Sequence, residues 1–254
     1  MHFIQQLRLR NSLLYWFGWL MLFSGIICGL LTQVDNTIIL GINAWIKPMK
    51  FFISTYIFCW TMGWILTYLN QPNKERLYTI MVVMVMTLEL AIITYQAANG
   101  RMSHFNINSP LYAALFAAMG IAITILGIWT AYINYLFFRL KPIEITASYL
   151  WGIRLGILFF VIFSFEGGWM AARLSHTVGA PDGTEGLFVV NWSKSYGDLR
   201  IAHFFGLHSL QILPLIGFYI SKNGRTIVFI SILYFAFVSL MLVQAMMGKP
   251  MLRF

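Results

Sequence analysis

An all-α bundle of seven transmembrane helices is the fold class this sequence predicts, on three observations. The 254 residues are 59% hydrophobic and only 10% charged, a composition that belongs to polytopic membrane proteins. The mean hydropathy is +0.75, and the apolar residues fall into seven runs, each near the roughly 20 residues that a helix needs to cross the hydrocarbon. Short clusters of basic residues separate those runs. The formal charge of +9 therefore reads as flanking charge that orients helices and touches anionic lipid, not as a surface for nucleic acid. The partner this composition implies is the lipid bilayer.

The spans follow in order. The basic lead-in to Arg10 has no small-residue cleavage site after it, so the first apolar run, Leu13 to Thr32, reads as a retained helix. Val34 to Met49 is too short and mixed to span and is expected as an amphipathic connector in the interface, anchored by Trp45 and flanked by Lys47 and Lys50. The second span runs from Lys50 to Leu69, and a polar turn containing Pro72 precedes the third, Leu77 to Ala97. A turn-rich loop leads to Ser109-Pro110, a cap and first-turn proline that open the fourth span, which runs to Phe138. A turn through Lys141-Pro142 closes that span.

The fifth span is Ala147 to Ala172, the sixth Leu199 to Ser221, with Pro214 expected to kink it, and the seventh Thr226 to Met247. Between the fifth and sixth lies the longest connection, taken as an outer loop over 175–198. Ala180-Pro-Asp-Gly183 is a turn signal there and Leu187 to Val190 a strand-like run, so the loop is expected to be a small hairpin lid over the helix ends. No heptad, repeat or low-complexity linker interrupts the sequence, which is read as one helical domain over 1–254.

Seven spans put the termini on opposite sides. Of the basic residues near helix ends, eight lie on one face and eight on the other, so number alone does not orient the chain. The set containing Arg8, Arg76 and Arg139 sits in tight turns, where the positive-inside rule is most dependable. That arrangement predicts a bacterial cytoplasmic membrane protein with its N-terminus in the cytoplasm.

Strongly polar side chains inside spans cost roughly 2.5 to 3.5 kcal/mol each at the bilayer centre on insertion scales and mark function or pairing. At 1.5 Å per residue, Glu89 lies about 12 Å and Glu166 about 9 Å inside the ends of their spans, while His203 and His208 lie about 6 and 13 Å inside theirs. All four fall in one layer, with Arg154 the lone ionisable residue of the opposite half. Glu89 and Gln96, seven apart, share a helix face; so do Glu166 and Arg173, whose guanidinium is expected to neutralise the carboxylate. His208 and Gln211, three apart, are neighbours. His203 and His208 diverge by about 140°, so one helix does not aim both at a single ion. The reading places His208 in a chamber with Glu89, and His203 at a mouth beside Glu166 with Arg101, His104, Arg173, His176 and Arg200.

Each residue also has a plainer reading. A buried carboxyl or imidazole can simply hydrogen-bond a neighbouring helix, and His203, close to a helix start, can bind loop backbone. Cys28 and Cys59 form no thiolate motif, and the 14 methionines show no copper-binding spacing. A retinal lysine, Walker or dinucleotide glycines, HExxH and a nucleophile elbow are all missing. Three functional classes remain. The first is a metal or haem site with His203 and His208 as ligands, Glu89 and Glu166 as ligands or catalytic proton-transfer groups, and Gln96 and Gln211 beside the cofactor, acting on a small-molecule or lipophilic ligand. The second is a proton-coupled small-solute transporter, and the third a non-catalytic binding or assembly subunit.

Overall fold

The computed structural model describes residues 3–140 and 145–251. The predicted turn at Lys141-Pro142 and the tail residue Arg253 lie outside the described residues. Among the described residues are eight α-helices, seven of them long and apolar enough to cross a membrane: α2 (Ser12–Leu31), α3 (Ile46–Ile65, prolonged by a 3-10 turn to Leu69), α4 (Pro72–Ala98), α5 (Pro110–Arg139), α6 (Ala147–Arg173), α7 (Arg200–Tyr219) and α8 (Gly224–Met246). The short α1 (Phe3–Arg10) precedes them, and the only strands among the described residues are two-residue pairs, β1 (Ile38–Ile39) with β2 (Ile42–Asn43) and β3 (Thr177–Val178) with β4 (Gly197–Asp198). The chain is thus a polytopic all-α membrane protein. It gathers into two compact units, Met1–Leu126 and Gly127–Phe254, with the division inside α5.

In the first unit, Asn11 ends α1 and caps α2, its side chain accepting from the Leu14 N–H at 3.0 Å and donating to Thr79 Oγ1 of α4 at 2.8 Å. Such a cap satisfies a backbone donor that the first turn leaves open. Arg10 donates to the Trp64 carbonyl and lies 4.0 Å from that indole's centroid, so its charge is spent on α3 through hydrogen bonding and cation–π attraction. Small residues bring α2 and α3 together: a Cβ at Gly25 would meet Ile53 and Phe52 at 3.2 and 3.3 Å.

The connector after α2 differs from expectation. Instead of a continuous amphipathic segment, Ile38–Ile39 pairs with Ile42–Asn43 in an antiparallel hairpin whose central residues, Leu40 and Gly41, both have positive φ, the backbone of a tight two-residue turn. Asp35 organises it, accepting from the Thr37 N–H and from Trp45 Nε1 at 2.9 and 2.8 Å. Trp45 is buried. Helix α3 begins at Ile46, ahead of the expected start at Lys50, so Lys47 too belongs to a spanning helix. Pro48 in its opening turn is the local signal for that start, because its fixed φ suits a helix and its missing N–H is not needed there.

Helix α4 also starts early, with Pro72 in the first turn and the Glu75 carboxylate reaching back to the Gln71 N–H at 2.9 Å. The expected start of α5 is present: Pro110 opens the helix and Ser109 Oγ accepts from the Tyr112 N–H at 3.3 Å.

The second unit is built on the close approach of α6 and α7. A Cβ added to Gly152 would lie 2.5 Å from the Leu213 carbonyl oxygen, one at Gly156 2.8 Å from that of Ser209, and one on Gly217 2.6 Å from that of Ser148. The two backbones touch where side chains are missing, the usual means of helix association in lipid. Pro214 packs into the same seam, against Gly152 and Gly156. Ser209 Oγ donates across it to the Gly156 carbonyl at 2.9 Å. Helix α8 closes this core, with Val238 buried beside Phe159, Phe163, Ala202 and Leu213. Arg154 donates to the Phe137 and Leu140 carbonyls at 2.9 and 2.8 Å, satisfying the end of α5.

The outer loop is a hairpin, but its strands are not where the hydrophobic run placed them. Thr177–Val178 pairs with Gly197–Asp198, and Leu187 to Val190 forms the turn at the far end, where Asn191 takes a φ of 55°. Two acids hold the hairpin together. Asp182 accepts from Ser175 Oγ at 2.9 Å and the Thr177 N–H at 2.9 Å; Asp198 accepts from the Ser193 N–H at 2.9 Å. Backbone partners bought by these carboxylates outweigh the weak apolar signal of the run.

Candidate functional site

In the first unit the buried face of α4 carries Val82, Val85, Glu89, Ile93 and Gln96, spaced by three, four, four and three residues as one side of a helix requires. Glu89 is 6% exposed and Gln96 is fully buried. Neither amide atom of Gln96 has a hydrogen-bond partner among the described residues, and neither does Glu89 Oε1. Lys47 of α3 stands close enough to act on the Glu89 carboxyl through its charge. Sequence reasoning missed Lys47 as a site residue because it assigned this lysine to an interfacial connector; the proline at position 48 was the available clue.

The expected mouth residues of this unit are placed by aromatic rings. Arg101 lies 4.8 Å from the Tyr112 ring centroid. His104 sits between Phe51 and Phe116, with centroid distances of 5.6 and 6.2 Å, and its Nδ1 is 3.1 Å from Ser103 Oγ.

In the second unit Glu166 is 8% exposed, and neither carboxyl oxygen has a hydrogen-bond partner among the described residues. Arg173 does not neutralise it. Its guanidinium turns instead over Trp169, 5.6 Å from the ring centroid, because at the exposed end of α6 an aromatic face is nearer than a carboxyl two turns down. His203, on α7, reaches α6 on either side of Glu166. Its Nδ1 is 2.7 Å from the Phe163 carbonyl oxygen, and a Cβ on Gly167 would come within 3.2 Å of its Cε1. A carbonyl only accepts, so Nδ1 carries a proton, and in the neutral imidazole Nε2 then holds the lone pair.

His208 faces elsewhere. It pairs through Nδ1 with Gln211 Oε1 at 3.2 Å and meets the Phe204 ring at 4.3 Å. The divergence expected from helical geometry is therefore realised: the two histidines of α7 have separate partners. His176 and Arg200 serve the hairpin, His176 Nδ1 lying 3.2 Å from Asp182 Oδ1 and Arg200 Nη2 2.6 Å from Asp198 Oδ2. Burial would raise the Asp182 carboxyl, but the His176 charge and the hydrogen bonds from Thr177 and Ser175 outweigh it and hold the group below its ordinary value. Among the described residues no group of three or more His, Cys, Asp or Glu side chains is arranged to hold a metal ion. Both cysteines are free and buried.

The fold and these side chains define a seven-span helical membrane protein in which buried carboxyl oxygens of Glu89 and Glu166 have no hydrogen-bond partner among the described residues. No protein-family model matches the chain, and the searches of curated proteins and of solved structures likewise find no match.

Proposed function

We propose that this protein is a proton-coupled membrane carrier of a small solute, with Glu89 and Glu166 as its proton-binding groups. One observation carries the reading: carboxyl oxygens of both residues lie buried within spanning helices with no hydrogen-bond partner among the described residues. A carboxylate stripped of water and unpaired costs several kcal/mol, and intramembrane acids of this kind mark ion and proton pathways. A proton, or a cationic group on the solute, supplies the missing partner. Lys47 gives Glu89 a nearby positive charge that Glu166 lacks, so the two acids suit different steps of a transport cycle.

The test uses proteoliposomes containing a trapped pH-sensitive dye, challenged with a panel of amino acids, organic acids and lipophilic amines. At least one compound is expected to drive proton movement above that of protein-free vesicles, and Glu89→Gln and Glu166→Gln are each expected to abolish it. Coupled flux that survives both substitutions together, or no flux with any of the panel, overturns the reading.

A second reading is favoured by His203. An imidazole whose Nδ1–H is fixed on a backbone carbonyl presents Nε2 as a ready ligand, the usual outer-shell arrangement of a metal- or haem-bound histidine. The chemistry would be redox or hydrolytic work on a lipophilic substrate. Purified protein with neither a Soret band nor stoichiometric metal rules it out.

A further inference from the structure

The hairpin between α6 and α7 has its tip against the side of α7. Trp192 meets the Phe204 ring edge-on and the Phe205 ring at a tilt, with centroids 5.4 and 6.2 Å apart. Those two residues lie four and five positions beyond Arg200, the first residue of the helix, which is about 6 to 7.5 Å along its axis. Helix α7 has 20 residues, about the number needed to cross the hydrocarbon. Its first turn or two therefore stand at the boundary between headgroups and acyl chains. A segment packed on Phe204 and Phe205 lies at that depth too, on a flank of α7 where Phe204 itself is 41% exposed.

The tip's composition fits this position. Phe188 is 90% exposed and Val189 38%, a large apolar surface at the end of a well-tied turn. Part of the turn's backbone is paired within it, which lowers the cost of entering an apolar layer: the Leu187 N–H donates to the Trp192 carbonyl at 2.8 Å and the Asn191 N–H to that of Leu187 at 2.6 Å. Arg200 Nη2 donates to the Asn191 carbonyl. Charge appears one step back, in the ion pair of Lys194 with Glu185 at 2.6 Å, which marks the aqueous side of the tip.

We infer that residues 187–192 form a bilayer-inserted anchor, with Phe188 and Val189 in the interfacial layer of the lipid and the Glu185–Lys194 pair in water. Its partner is the membrane itself, through the acyl chains just below the headgroups. The anchor joins the hairpin to the lipid beside α7.

The full-length protein in phosphatidylcholine–phosphatidylglycerol liposomes provides the test, with spin labels placed singly through Phe188→Cys, Val189→Cys and Glu185→Cys. The native Cys28 and Cys59 are 3% and 0% exposed and sit out of reach of the reagent. Labels at 188 and 189 are expected to collide with oxygen in preference to a water-soluble nickel chelate, with a chelate accessibility several-fold lower than at 185. Equal chelate accessibility at all three positions places the tip in water and overturns the inference. Low accessibility to both reagents at 188 and 189 means that protein, such as a second copy of the chain, covers the tip, and overturns it as well. The two tip labels are independent, so misfolding of either variant leaves the other decisive.

Discussion

His203 donates from Nδ1 to the carbonyl oxygen of Phe163 at 2.7 Å, joining α7 to α6 beside a seam made by glycines, Pro214 and the Ser209 hydrogen bond. The bond spans 40 residues of sequence and stands one helical turn from Gly167, whose missing Cβ leaves space for the ring. Interhelical hydrogen bonds in lipid contribute on average about 0.6 and at most about 1.7 kcal/mol. His203→Leu is expected to destabilise the protein by an amount in that range, measured by unfolding in mixed micelles of increasing SDS fraction. His203→Asn, whose side-chain amide can donate from nearly the position of Nδ1, should recover part of the loss. Equal stability of the leucine variant and the wild type would show that the bond carries no weight.

The glycine seam makes a stronger demand. At Gly152 and Gly156 an added Cβ meets main-chain carbonyls of α7, at 2.5 and 2.8 Å, and a backbone cannot rotate aside as a flexible side chain can. Gly152→Val and Gly156→Val are each expected to cost about 1 to 3 kcal/mol through overpacking. Gly168, with nothing within 4 Å of its would-be Cβ, supplies the contrast. There Gly168→Ala should be neutral or stabilising by up to about 1 kcal/mol, since alanine is the better helix former. Thermal melts followed by aggregation or by circular dichroism distinguish the two classes; a seam variant as stable as Gly168→Ala would contradict the close approach.

Asp182 predicts how the hairpin responds to acid. Its carboxyl, held below the ordinary value of 3.8 by its surroundings, stabilises the folded hairpin in its ionised form. That contribution is complete above the ordinary value and disappears as pH falls through the lower, folded one. Protection of residues 175–198 against hydrogen exchange, taken relative to the intrinsic rate at each pH, should be high at neutral pH and fall only in acid below 3.8. Asp182→Asn is expected to accelerate exchange at neutral pH and to remove the acid step. An acid step of undiminished size in that variant would assign the effect to another group.

Much of the helical framework was legible before any coordinates. The seven spans follow from hydropathy alone, and the Ser109-Pro110 start of α5 from local capping chemistry, because each signal lies within the element it defines. Where local signals were misread the cause was also local. The connector after α2 looked amphipathic, yet Leu40-Gly41 turns tightly and Pro48 starts a helix. The run from Leu187 to Val190 looked like a strand, yet the hydrogen bonds offered by Asp182 and Asp198 place the pairing at Thr177–Val178 and Gly197–Asp198.

By itself, then, the sequence determined that this is a multi-pass helical membrane protein, which residues of its spans are too polar for lipid, and that His203 and His208 point apart. Those properties depend on composition and on the fixed period of a helix. Only the tertiary structure decided what the polar groups other than His208 meet: Phe163 for His203, Trp169 in place of Glu166 for Arg173, and, among the described residues, no hydrogen-bond partner for Glu166. The His203 contact depends on two backbones approaching closely enough for a side chain to reach across, and that distance is set by glycines on facing helices many residues apart, beyond the range of any local pattern.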